Sequence, residues 1–275
     1  MSDTMVSPLV PREGWHVMHL FYQIDHSQWA ILGDDERRSA KTRLTELVQE
    51  IRATPDTHLL TYSIATPKAD VGFMLLTPDL QVANAYEKQL TLSLGPEILS
   101  PVYSYLSQTE GSEYTTTPEQ YAAETLVAEK GLAEGSPEFE QAMKEFEDRM
   151  AHYLKHRLYP VLPDWPVVCF YPMSKRRNGA DNWYSLPYED RRNLMAGHAK
   201  VGRTYSGRIL QLITGSTGLD EYEWGVTLLA KDTIDIKSIV YEMRFDEVTA
   251  RYGEFGDFYI GMQLPLDELF RRVCL

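Results

Sequence analysis

Asp70-Val71-Gly72-Phe73-Met74-Leu75-Leu76-Thr77-Pro78-Asp79 lies without a gap over Glu223-Trp224-Gly225-Val226-Thr227-Leu228-Leu229-Ala230-Lys231-Asp232. The glycine, both leucines and the final aspartate coincide, and an acid opens each stretch. Each copy reads as a buried strand followed by a helix start. A short apolar run is bounded by polar residues, and the closing aspartate can accept from the free N–H groups of a first helical turn.

The elements around the two copies recur in the same order. In the first half, Trp15 to Gln23 reads as an aromatic-rich strand, and Glu36 to Arg52 as a helix capped by Asp34, with Leu44, Leu47, Val48 and Ile51 at helical spacing. His58 to Ile64 and Val71 to Leu76 are strands, Pro78 and Asp79 open a helix to about Leu90, and Val102 to Ser107 closes the set. In the second half the strand Trp165 to Met173 precedes a helix opened by Leu186-Pro187, with Pro187 at the first helical position, and running to about Gly202. Strands Arg208 to Thr214 and Trp224 to Leu229, a helix capped by Asp232 and a strand Phe258 to Met262 complete it.

β-α-β-β-α-β written twice predicts an α+β fold of two tandem ferredoxin-like halves, antiparallel sheet flanked by helices. The boundaries expected are a flexible start at 1–12, a first half at 13–110, a helical connector at 111–163 and a second half at 164–275. The connector is polar and acidic, with Glu119 to Lys130 and Glu138 to Arg157 as its helices.

A chain of 275 residues with 43 % hydrophobic and 24 % charged residues is globular in composition. Its longest apolar runs fall far short of the roughly 20 residues a spanning helix needs. The first residues have neither a basic start nor an apolar core, so cytoplasm is the expected compartment. Cys169 and Cys274 make neither a disulfide framework nor a metal cluster. A net charge of -13 argues against nucleic acid as a partner, because phosphate neutralisation needs excess Lys and Arg.

Against that acidic background Lys175-Arg176-Arg177 stands out, directly after the strand that ends in Tyr171. Such a run is a solvated loop or a clamp for carboxylates or phosphates. His198 shares a helix face with Leu194 and Val201, and Gly197 beside it would admit a flat ring. A lone histidine is often structural; here its setting fits a single axial ligand to a haem iron. An oxidisable phenol, a basic cluster and a lone imidazole together suggest a redox cofactor with acidic side groups.

Tyr171-Pro172-Met173-Ser174-Lys175-Arg176-Arg177, Asp181-Asn182-Trp183-Tyr184, Gly197-His198-Ala199-Lys200-Val201-Gly202-Arg203, Gln211 to Ser216, Glu223 to Leu228 and Tyr241 to Glu247 resemble the coproheme decarboxylases of the chlorite dismutase-like family. The likeness extends more weakly to Glu13 to Val17 and Pro101 to Tyr105. It implies a haem-binding second half, a first half without cofactor, and a homopentamer in transient contact with coproporphyrin ferrochelatase. The implied reaction turns two propionates of Fe-coproporphyrin III (coproheme) into vinyls with hydrogen peroxide, giving haem b through a tyrosyl radical.

Carried over by position, His198 matches the iron ligand and Tyr171 the radical residue. Arg157 and Lys175 match propionate-binding positions, Trp183 lines the propionate region, Gln211 is the distal residue, and a polar partner falls near Asp246 to Thr249. Chlorite dismutases resemble the chain in fold but carry a distal arginine for the chlorine oxyanion, a charge that Gln211 lacks. A haem carrier without turnover and a chlorite-degrading or peroxidase-type haem enzyme are the alternatives.

Overall fold

The structure is a computed structural model that describes residues 7–275. It divides into a unit formed by the chain up to Thr109 with Leu162–Leu275, and a second unit, Glu110–Val161. The first half runs β1 (His16–Ile24), α1 (His26–Ile31), α2 (Asp34–Ala53), β2 (His58–Ile64), β3 (Val71–Thr77), α3 (Leu80–Leu92) and β4 (Leu99–Thr109). The second unit holds α4 (Pro118–Gln120), which continues as π-helical turns over Tyr121–Glu129, and α5 (Pro137–Leu158). The second half runs β5 (Val167–Lys175), α6 (Tyr188–Arg203), β6 (Ile209–Gly215), β7 (Trp224–Ala230), α7 (Thr233–Met243), α8 (Glu247–Tyr252), β8 (Gly253–Phe255), β9 (Tyr259–Gln263) and α9 (Leu266–Arg272).

Among the described residues the strands form one sheet in the order β7-β6-β4-β1-β3-β2-β9-β5-β8, and a β7–β5 pairing closes it into a barrel. Both halves use the ferredoxin-like order. β4-β1-β3-β2 in the first corresponds to β9-β5-β7-β6 in the second, and β2–β9 and β4–β6 pairings join them. The register agrees across the duplication, with Leu20 opposite Phe73 in the first half and Tyr171 opposite Val226 in the second.

Strand side chains alternate between faces, so one set fills the barrel and the other meets helices. Trp15, Phe21, Tyr62, Tyr105 and Phe170 pack inside. The repeat's shared glycine has a reason there. A Cβ on Gly72 would overlap the Tyr62 ring, and one on Gly225 would stand 2.8 Å from the Tyr105 ring, so each glycine lets an aromatic lie flat across its strand. Buried His19 shares a 2.8 Å hydrogen bond with Thr227 and stacks on Phe170, tying the halves through the interior. Burial lowers its pKa to about 3, so it packs as a neutral ring.

The two outer faces differ. In the first half α2 buries Ala40, Leu44, Val48 and Ile51 against Leu20, Leu59, Phe73 and Leu75. In the second, α7 brings Ile236 and Ile239 to Tyr171, Val226 and Leu228, while α6 buries Gly202 alone.

Local corrections concern helix ends and short elements. Gly33, not Asp34, is the N-cap of α2. The Glu36 side chain reaches back to the Gly33 N–H at 2.8 Å, so Asp34 joins the acidic first turn and complements the helix dipole. Pro187 is the N-cap of α6 rather than its first helical residue. The predicted Glu119 to Lys130 helix is mostly π-helical. Residues 1–6 of the predicted flexible start lie outside the described residues; beyond them the Leu9 N–H donates to Asp79 at 2.9 Å. No helix of the described residues is long and apolar enough to cross a membrane.

Candidate functional site

Where α6 stands off the sheet, the second half is hollow. Together with its open mouth the cavity takes in about 540 Å³ of space between the side chains. Three strands supply its floor in same-face pairs: Tyr171 and Met173, Gln211 and Ile213, and Val226 and Leu228. Ile239, Val240 and Met243 come from α7, His198 from α6, and Arg244, Thr249 and Phe255 from the segment after α7.

His198 is about a quarter exposed, and its Nδ1–H donates to Asp246 Oδ2 at 2.8 Å. Asp246 is fixed in turn, because it caps α8 and accepts from the Thr249 N–H at 3.2 Å. A ring held through Nδ1 keeps its lone pair on Nε2, the arrangement of a histidine oriented for a metal. Burial lowers the His198 pKa; the Asp246 hydrogen bond and charge oppose this, and the Lys175 charge adds to it. The neutral, ligating form is therefore favoured.

Tyr171 is 9 % exposed, stacked on Phe258 at 4.3 Å with Phe255 at 5.8 Å. Burial raises its phenol pKa well above the ordinary value, with a smaller push from Cys169 and a counter-pull from Arg244. The phenol stays protonated, a hydrogen-atom donor rather than a phenolate. Gln211 Nε2 donates to the Gly202 carbonyl at 3.1 Å, and a Cβ on Gly202 would come within 3.3 Å of that amide. Gly202 thus permits the close approach of Gln211 to α6. A Cβ on Gly197 would meet nothing within 4 Å.

The basic run is divided by the fold. Lys175 is buried, its ammonium 4.9 Å from the centre of the Trp183 ring. Burial brings its pKa down to about 8, against the raising effect of Asp246 and Glu223. Arg176 is 3.7 Å from both Asp181 and Glu254, and Arg177 is exposed. The three therefore do not act as one clamp. Trp183 packs edge-on against Tyr252, and neither Trp183 nor Lys175 lines the cavity itself. Arg157 belongs to the Glu110–Val161 unit, where its Nε donates to the Glu110 carbonyl at 3.2 Å.

The fold thus brings His198, Tyr171 and Gln211 onto one cavity. Arg244, with its guanidinium 4.6 Å over Phe255, is the cavity cation that sequence reading missed, since no basic run surrounds it. Asp246 had a readable signal: an aspartate three residues before Thr249 is a helix-cap pattern. Among the described residues no group of three or more His, Cys, Asp or Glu could hold a metal, so the donor set is a single imidazole on an apolar pocket. That set suits an iron already held by a macrocycle.

Residues 37–264 match the chlorite dismutase family. The chain belongs to that family. A solved structure described as a novel haem-binding protein from Thermus thermophilus is 38 % identical, covers 98 % of this chain and 99 % of its own, and superposes with a TM-score of 0.78. A mutant chlorite dismutase from Candidatus Nitrospira defluvii is 17 % identical over 96 % of this chain and 98 % of its own, with a TM-score of 0.71. A putative chlorite dismutase at 16 % identity and a TM-score of 0.65, covering 93 % of this chain and 97 % of its own, shares the fold too.

Proposed function

We propose that this member of the chlorite dismutase family binds iron coproporphyrin III and uses hydrogen peroxide to convert two of its propionates to vinyls, yielding haem b. The observation that carries the reading is that His198, Tyr171 and Gln211 share one apolar cavity. A ligating imidazole and a protonated phenol stand together there, and the position of Gln211 carries an uncharged amide. An anionic oxidant such as chlorite calls for a fixed cation at that position, which an amide cannot supply.

Each half-reaction balances without another reagent. One propionate loses carbon dioxide, two electrons and two protons to become a vinyl, and one peroxide takes up those electrons and protons to leave as two waters. When bound, the iron supplies the chemistry that activates peroxide. His198 would hold it, with Asp246 keeping Nδ1 protonated and Nε2 available. Tyr171 would lose its hydroxyl hydrogen atom and recover one from the propionate carbon next to the ring. Lys175 and Arg244 would face the carboxylates.

The test is stepwise addition of peroxide to the coproheme complex, followed by mass spectrometry. Successive loss of two carboxyl groups is expected. Bleaching of the porphyrin without decarboxylation would leave a haem-binding protein without turnover, and oxygen release from chlorite would favour chlorite chemistry.

A further inference from the structure

The acid that opens each copy of the repeat makes the same three backbone contacts. In the first half Asp70 N–H donates to the Tyr22 carbonyl at 2.8 Å, its carboxylate accepts from the Ile24 N–H at 2.8 Å, and its carbonyl accepts from the Ile64 N–H at 3.0 Å. In the second half Glu223 N–H donates to the Met173 carbonyl at 3.1 Å, its carboxylate accepts from the Lys175 N–H at 2.8 Å, and its carbonyl accepts from the Ser216 N–H at 2.7 Å. Tyr22 and Ile24 stand to Asp70 as Met173 and Lys175 stand to Glu223.

The clasp is a structural device of the duplicated unit, pinning the end of the first strand to the entry of the third. Two things change at the second copy. The clasped residue becomes a buried lysine, and the acid gains a methylene and is itself buried. An aspartate suffices for the clasp in the first half. A buried carboxylate is costly unless it is hydrogen-bonded and paired. Glu223 is hydrogen-bonded through the Lys175 backbone N–H, and its charge, with that of Asp246, acts on the Lys175 ammonium, whose ring neighbour is Trp183.

We propose that Glu223 is a positioning residue that sets Lys175, at the end of β5, for recognition of a carboxylate on the bound porphyrin. The proposal rests on the functional reading above. Glu223 acts through Lys175 and touches neither porphyrin nor reacting atoms.

The experiment measures the affinity of the apo-protein for coproheme, with four carboxylates, and for haem b, with two. In Glu223→Ala the preference for coproheme should fall roughly tenfold, as for loss of an interaction with a charged group. Glu223→Gln keeps an acceptor for the Lys175 N–H and loses the charge, so the fall should be smaller. Glu223→Asp, the residue of the first-half clasp, should restore most of the preference. Asp70→Ala is the matched control: it should lower Tm without altering the preference.

A second readout needs no porphyrin. In apo-protein labelled at lysine Cε, the Lys175 titration should move to lower pH in Glu223→Gln, because an opposing carboxylate charge is gone. A wild-type preference that persists in Glu223→Ala, with an unmoved Lys175 titration in Glu223→Gln, overturns the role of Glu223 alone. Absence of any preference in the wild type overturns it together with the functional reading.

Discussion

The two halves are one fold solved twice, once filled and once hollow. At equivalent positions the first half carries Leu20, Leu59 and Phe73 where the second carries Tyr171, Gln211 and Val226, while Leu75 and Leu228 match. The first set packs against the apolar face of α2. The second faces α6, which brings His198 instead of leucines and buries only a glycine. A phenylalanine-to-valine difference on the floor, and a helix that stands off, turn a core into a cavity. Chemistry is then added by the phenol, the amide and the imidazole that face the cavity.

The largest effect should come from closing the hollow half. Val226→Phe copies Phe73 into the cavity floor and should abolish coproheme binding, a loss of about 100-fold or more, with Tm unchanged or raised. Spectral titration and thermal unfolding check both parts, and unimpaired binding would place the ligand elsewhere. The reciprocal change, Phe73→Val, should cost about 2 to 4 kcal/mol of stability through a new cavity while leaving coproheme affinity intact, as denaturant unfolding would reveal.

Tyr171→Phe leaves the packing on Phe258 in place and removes the hydroxyl. Coproheme should still bind, and decarboxylation should fall by roughly 10³-fold or more, as when an essential group is deleted. Asp246→Asn should weaken iron ligation about 10- to 100-fold by loosening the orientation of His198. The smallest effect concerns pH. Lys175 is charged below about 8 and neutral above it, so its contribution to carboxylate binding is present at neutral pH and lost as pH rises through about 8. Coproheme affinity should decline there in the wild type and stay flat in Lys175→Met.

Much of this was legible from the repeat. Four coincident residues in ten, in the same element order, were enough to place two ferredoxin-like units, because buried strands and capped helices announce themselves locally. Closure of the sheet was not legible, since β2–β9 and β4–β6 pairings join residues far apart in sequence. The same limit applied to charge. Lys175-Arg176-Arg177 reads as one cluster, yet Arg176 is taken up by Asp181 in the following loop and by Glu254 from a distant segment, and Arg244 reaches the cavity without a basic neighbour in sequence. The short elements α8, β8 and α9 escaped because three to seven residues carry too little periodicity to read.

The most direct test locates the iron. Diffraction at the iron absorption edge, on crystals of the coproheme-loaded protein, should place a single anomalous peak within bonding distance of His198 Nε2, above the floor formed by Tyr171, Gln211 and Val226. A peak in the first half, or one with His198 still unbound, would contradict the claim that the hollow half is the porphyrin site.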